Sequence, residues 1–387
     1  MSPTPANDWN LHAPAVQQDP ITAYDDLRER LGVAFSDTLH WSVLRHADVL
    51  RTLQEHATFS NAVSTHVAVP NGMDPPEHTA YRAAIEPFFT AEKVAAFAPV
   101  CQKVLDDLLA QVRGRHGAAA FDAVAHLALP FAVRVQCAFM GWPLDLEASL
   151  TDWIARHHHA SGTQDRPALA ALGEQFNALV TQLLDERIAL GPTAPQDVTT
   201  ALLRTEVNGA PLSHEAIASI VRNWTVGEIG TIAASVGILA EYLAQHPDLQ
   251  ATLRQSPSRQ AEAIEEILRL HGPLSANRRV ATCPVTLSGR DIPAGARLTI
   301  HWPAANRDPR VFDDADQFRW GRNPADNLLY GAGIHVCPGA PLARMELQRT
   351  LASLLATTTQ IAPAGAAMPA QHPAMGFSQL PLTLAWV

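Results

Sequence analysis

One uninterrupted run of helical apolar spacing, from about Ser213 to about Gln245, constrains this chain more than any other stretch. It follows Pro211 and stops before His246-Pro247, where capping and proline chemistry begin and end helices. At 1.5 Å per residue such a helix is about 50 Å long, so it must pass through an interior. Its middle reads Asn223-Trp224-Thr225-Val226-Gly227-Glu228-Ile229-Gly230-Thr231-Ile232-Ala233-Ala234-Ser235, and each of its two glycines costs roughly 1 kcal/mol against Ala. Gly227, Thr231, Ala234 and Ser235 recur at three- and four-residue steps and share one small-residue face. That face suits either close helix packing or contact with a flat, bulky group.

From Tyr24 to about Leu270 the chain repeats apolar residues at helical spacing, as at Val94, Phe97, Val100, Val104, Leu105 and Leu108. Breaks fall at Pro70 to Pro76, Gly114 to Gly117, Gly141 to Pro143 and Gly191 to Pro195. Leu39 to Val43, Arg279 to Thr282, Arg297 to Ile300 and Pro381 to Val387 favour strand. The expectation is a mainly α fold with a smaller β region. Residues 1–25, rich in Pro, Asn, Asp and Gln, read as an extended N-terminal arm. No internal repeat or long linker divides the rest, so a single domain over 1–387 is expected.

Composition narrows the function classes. With 47% hydrophobic and 17% charged residues the chain has ample material for a core, which argues against global disorder. Its 28 Lys and Arg against 38 Asp and Glu leave a net charge of −10, without the basic footprint of a nucleic-acid binder. No stretch approaches roughly 18 consecutive apolar residues, and the start lacks the order of a secretion signal, so a cytoplasmic protein that does not span a membrane is expected. Cys101, Cys137, Cys283 and Cys337 show no paired spacing.

Chemistry concentrates in Tyr330-Gly331-Ala332-Gly333-Ile334-His335-Val336-Cys337-Pro338-Gly339, which leads into Ala340-Pro341-Leu342-Ala343-Arg344. Glycines at 331, 333 and 339 permit positive φ and close backbone approach, so the loop can curl around the Cys337 sulfur. A lone buried cysteine is ordinarily a small hydrophobe. The glycine frame singles this one out, because a thiolate ahead of a helix N-terminus is stabilised and can serve as an axial haem ligand.

Here the chain resembles the cytochrome P450 family, whose haem signature is an aromatic residue, Gly, any residue, Gly, any residue, His or Arg, any residue, Cys, any residue, Gly. Tyr330 stands where Phe is usual. The resemblance implies a soluble bacterial-type P450 fold, a triangular helical domain with haem b, iron protoporphyrin IX, between the long central helix and the Cys loop. It implies that Cys337 ligates the iron, that His335 hydrogen-bonds a haem propionate, and that Tyr330 and Gly331 line the haem. Glu266 and Arg269, three apart on a predicted helix, match the family's Glu-x-x-Arg pair. A later arginine joins that pair in the family, here Arg322 or, less favoured, Arg319. His78 and Arg82 match a His-x-x-x-Arg segment that grips a propionate. Arg279 matches a strand arginine with the same task, and its neighbour Arg278 points to solvent. Ala305-Asn306-Arg307-Asp308-Pro309, with Phe312 and Phe318, extends the match. The resemblance is specific from Met73 to Arg82 and from about Ser213 to Arg344.

The central helix departs from the family, which carries an acid followed by an alcohol. Placing Gly227 on the motif glycine puts Ile229 and Gly230 at those positions. Counting back from His246-Pro247 and from Glu266 puts Gly230 and Thr231 there, without a gap. On the second alignment Thr231 keeps the hydroxyl and the acid is missing. Glu228, three residues before Thr231, is then a candidate proton relay directly or through water, or else faces a neighbouring helix. His157, His158 and His159 fan apart by about 100° each and cannot converge on one metal. They read as a polar helix end or a mobile lid.

By resemblance, Ser60 to Met73, His157 to Arg166, Val226 and Gly227, Leu274 to Ala276, and Met375-Gly376-Phe377 line the distal pocket, which implies a small or medium apolar or aromatic substrate. No flavin, nicotinamide or iron–sulfur fingerprint is present. Electrons are therefore expected from a separate ferredoxin or flavodoxin with its reductase, or from a fused reductase in a longer chain. Arg322, Arg344 and Arg349 are candidates for a cationic docking patch. The implied activity is that of an oxidoreductase acting on paired donors, a monooxygenase inserting one oxygen atom from O2 by hydroxylation or oxidative dealkylation. The alternatives are a peroxide-driven peroxygenase and a non-catalytic haem-thiolate sensor.

Overall fold

A computed structural model describes residues 5–64, 68–372 and 374–387. The chain forms two compact units, Met1–His66 with Asn71–Pro75 and Glu265–Cys337, and Val67–Pro70 with Pro76–Ile264 and Pro338–Val387.

The first unit is built on a five-stranded sheet in the order Val33–Ser36, His40–Val43, Arg297–His301, Ala276–Ala281 and Phe59–Ser60. Its pairs are antiparallel except His40–Val43 with Arg297–His301, where Leu298 sits opposite Trp41 and Ile300 opposite Val43. Val33, Phe35, Trp41, Leu298, Ile300 and Trp302 fill the core beneath it. Burying side chains of this size is worth about 1.5–3 kcal/mol each, which explains why the β-branched and aromatic runs became strands.

The N-terminal segment is extended only in part. Helices run over Pro14–Gln18 and Pro20–Arg30, with Pro at the first turn of each, and Asp19 caps the second by accepting from the Thr22 N–H. Proline at N1 costs no hydrogen bond and pre-sets φ, so these prolines begin helices rather than interrupt them. Leu11 and Tyr24 are buried. Ahead of the helices, Asp8 exchanges backbone and side-chain hydrogen bonds with Phe35 on the sheet edge.

The second unit is helical, with a three-stranded sheet of Thr358–Pro363, Pro381–Trp386 and Phe121–Asp122. The long helix spans His214–Gln245, with Ser213 as its cap, accepting from the Ala216 N–H. It packs against Leu129–Met140, Arg166–Leu190 and Ala340–Thr357. Gln136 donates from Nε2 to Thr225 Oγ1 at 3.0 Å, fixing the register of one such contact. By length and mean hydropathy (1.3) the long helix alone, among the described residues, could cross a bilayer, and 50% of its most apolar window is buried within the protein. A core helix has that character.

Candidate functional site

The Cys337 loop is shaped by its glycines. Gly331 and Gly333 have φ of 75° and 69°. A Cβ on Gly333 would stand 2.4 Å from the Leu53 carbonyl oxygen, so neither conformation nor space admits a side chain. The Gly331 N–H donates to Leu328 O, and the Cys337 N–H donates to Tyr330 O at 2.8 Å. Asn306 Oδ1 accepts from the Leu328 N–H at 2.8 Å and ties the loop to the unit's core. The side chain of Cys337 is exposed, whereas Tyr330 and His335 are half-buried. Gly339 corrects one expectation: its φ is −79° because it caps helix Ala340–Thr357, which needs no left-handed residue.

Behind the loop lies the expected carboxylate–guanidinium network. Arg269 donates from Nε and Nη2 to the two Glu266 oxygens at 2.7 and 2.9 Å, and from Nη1 to Asn306 O and Ala315 O. Arg322 donates from Nε to Glu266 Oε1 at 2.7 Å and reaches the carbonyls of Asp313, Asp314 and Gln317. Arg319 meets the same carboxylate through its backbone N–H at 3.0 Å, so Arg322 supplies the third side chain. Both guanidinium groups stand over the Phe312 ring. This engagement removes Arg322 from the docking patch proposed for it.

Burial separates the strand arginines, as period-two alternation requires: Arg279 is 4% exposed and Arg278 is exposed. Burial lowers the Arg279 guanidinium to about 10 against the opposing pull of Asp74. Its Nη1 donates to the Arg278 carbonyl at 2.7 Å. Asp74 in turn accepts from Ser60 Oγ at 2.5 Å and from the Asn61 N–H. Leu274 is exposed and Ser275 buried. Within Ser60 to Met73, residues 65–67 lie outside the described residues.

In the second unit His78 and Arg82 share helix Glu77–Ile85. His78 is buried, and Arg82 donates from Nε to Glu86 Oε1 at 2.8 Å. On the long helix Gly227 is exposed, and a Cβ there would meet nothing within 4 Å. Thr231 donates its hydroxyl to Gly227 O at 2.6 Å, which leaves the oxygen's lone pairs free to accept. The turn holding Gly376 packs on Ala234, and Phe377 Cδ2 lies 3.9 Å from the point where a Gly237 Cβ would stand.

Glu228 turns toward helix Ala340–Thr357, where its carboxyl meets that of Glu346. Glu346 is 0% exposed, and Glu228 Oε1 is buried. Burial, reinforced at Glu346 by the neighbouring carboxylate, pushes both carboxyls above the ordinary range. Two carboxylates offer only acceptors to each other, so the contact needs a proton. Cys101, its thiol raised to about 12 by burial, lies beside the pair, and Arg349 lies near that thiol. Sequence reasoning missed Glu346, which no local motif marks. It named His158, on helix Glu147–Gly162, among the pocket-lining residues but missed its partner: the His158 Nε2 would be 3.3 Å from a Cβ on Gly230.

Each unit, taken by itself, carries residues that suit a haem. Gly227 is a helix-interior glycine facing open space, a cradle with no packing cause of its own. Cys337 is an exposed thiol on a backbone that excludes side chains, and Arg279 is a buried cation. Among the described residues, no group of three or more His, Cys, Asp or Glu is placed to hold a metal ion.

Comparison with known proteins agrees. A family model described as Cytochrome P450 matches residues 261–385. Nocardicin C N-oxygenase of Nocardia uniformis subsp. tsuyamanensis is 33% identical over 81% of this chain and 81% of its own length. Erythromycin C-12 hydroxylase of Saccharopolyspora erythraea is 30% identical over 82% of this chain and 81% of its own. A solved structure of a mutant of P450 EryK in complex with erythromycin B superposes with a TM-score of 0.84 at 27% identity, covering 94% of this chain and 96% of that one.

Proposed function

This chain belongs to the cytochrome P450 family and is a P450 monooxygenase, and from that premise we propose that it inserts one oxygen atom from O2 into a small or medium apolar or aromatic compound by hydroxylation or oxidative dealkylation. The observation that carries the reading is the glycine-framed loop presenting Cys337, which tolerates no side chain at Gly333. Haem b, when bound, supplies dioxygen activation at a thiolate-ligated iron.

Cys337 holds the iron, and the Tyr330 ring and Gly331 line the cofactor. His335, Arg279, His78 and Arg82 hold the propionates, charge-assisted contacts that offset the burial of Arg279. Thr231 accepts a proton at its hydroxyl oxygen and passes its own onward. Glu228 keeps a proton in its pair with Glu346 and can release it only when that pair is disturbed. Val226, Gly227 and the turn at Gly376 exclude water and orient an apolar guest. We read residues 1–387 as a single haem-binding domain acting in the cytoplasm, with electrons from a separate ferredoxin or flavodoxin and its reductase.

A peroxide-driven peroxygenase is the second reading, favoured by the absence of a carboxyl at Gly230. The test supplies compounds selected by the spin-state shift they induce, first with O2 and a ferredoxin chain and then with hydrogen peroxide alone. Product from the first arm only is expected. Equal rates in both arms identify a peroxygenase, and spin shifts without product in either arm overturn both.

A further inference from the structure

Position 230 precedes Thr231 directly and carries no side chain. The structure fills that vacancy from another helix: His158 brings Nε2 to 3.3 Å and Cε1 to 3.6 Å of the point where a Gly230 Cβ would stand. We propose that His158 is the proton carrier that serves Thr231 in place of a side chain at position 230, with Gly230 retained because any larger residue would displace the imidazole. This rests on the proton-delivery role given to Thr231 above and adds to it the source of the proton.

The other titratable groups nearby are engaged elsewhere. His157, adjacent on the same helix, stacks on Trp153 with centroids 5.2 Å apart, and burial holds it near 4, so it stays neutral. On the long helix Glu228 faces Glu346, and Arg222 donates to Asn177 Oδ1 at 2.9 Å. His158 is half-buried, which lowers its affinity for a second proton and keeps it neutral near pH 7. A neutral imidazole has one N–H and one lone pair, the pairing a relay needs. The proton leaves one ring nitrogen, crosses through water to the Thr231 oxygen as the Thr231 proton moves on, and is replaced at the other nitrogen from solvent. The imidazole ends as the opposite tautomer, and a ring flip or a water-borne proton exchange between its nitrogens restores the starting one before the next cycle.

Two measurements test this. In the reduced, carbon monoxide-bound holoprotein with labelled histidines, the His158 Cε1–H resonance, assigned by its loss in His158→Gln, should titrate below 6.5. It should shift in Gly230→Ala and stay in place in Gly173→Ala. A resonance indifferent to Gly230→Ala overturns the contact. With O2 as the sole acceptor and a plant-type ferredoxin chain as donor, His158→Gln should slow O2 consumption by about a hundredfold and remove a pH inflection that the parent shows. His158→Ala with Gly230→Asp should restore the rate, because truncating the ring makes room for a carboxylate. If Thr231→Ala raises the hydrogen peroxide share while His158→Gln leaves rate and pH profile unchanged, the Thr231 role stands and His158 has none. If Thr231→Ala changes nothing, the Thr231 role fails and the His158 proposal falls with it.

Discussion

Each unit buries a glutamate, and the two are handled in opposite ways. Glu266, 5% exposed, accepts from Arg269, from Arg322 and from the Arg319 N–H. Glu346, 0% exposed, faces another carboxyl. The first site keeps its charge by surrounding it with donors, and the second avoids the cost of burial by keeping a proton. A buried charge therefore marks rigid scaffolding near Cys337, while the buried acid pair between the long helix and helix Ala340–Thr357 marks a place where protonation state is coupled to folding.

Breaking the first arrangement has the largest effect. Arg269→Ala strands Glu266 without its two-pronged partner and should cost about 3–5 kcal/mol, read as a lowered denaturation midpoint together with poor haem retention. An unchanged midpoint would mean that the network is ornamental.

The second arrangement predicts a pH dependence of definite sign. Because Glu228 and Glu346 have raised affinities for protons, the folded state binds more protons than the unfolded state once pH passes the ordinary carboxylate value of 4.5. Their contribution to stability is fully present below that value and is lost as pH rises through the elevated folded range. Glu346→Gln replaces a shared proton with a permanent N–H donor and should flatten this decline, stabilising the protein by about 1–4 kcal/mol at alkaline pH. Denaturation midpoints across a pH series measure it, and an undiminished slope in the variant would remove the pair from the account.

Much of the first site was legible because its signals are local. Glu266 and Arg269 are three apart, and Arg322 sits in an aromatic-flanked turn. The long helix announced itself through Ser213 and His246-Pro247. The pairs across helices were not legible: nothing near Glu228 announces Glu346, and nothing near Gly230 announces His158. The fan-out of His157, His158 and His159 did not show that one of the three rings lies on a glycine of another helix. Pro14 and Pro20 were misread because proline begins a helix as readily as it ends one, and the distinction lay in Asp19.

The smallest effect separates a helix glycine with a packing cause from one without. Gly227→Ala should gain about 1 kcal/mol of helix stability, since an added Cβ meets nothing within 4 Å, while altering the spectral response to bound compounds. Gly230→Ala should gain less, because its Cβ crowds His158. Equal gains would erase the distinction.

The most direct measurement is the absorption difference between the reduced protein and its carbon monoxide complex, taken for the parent and for Cys337→Ser. A thiolate-type signature in the parent that disappears in the variant is the predicted result. A parent without that signature, or a variant that retains it, would contradict ligation of iron by Cys337.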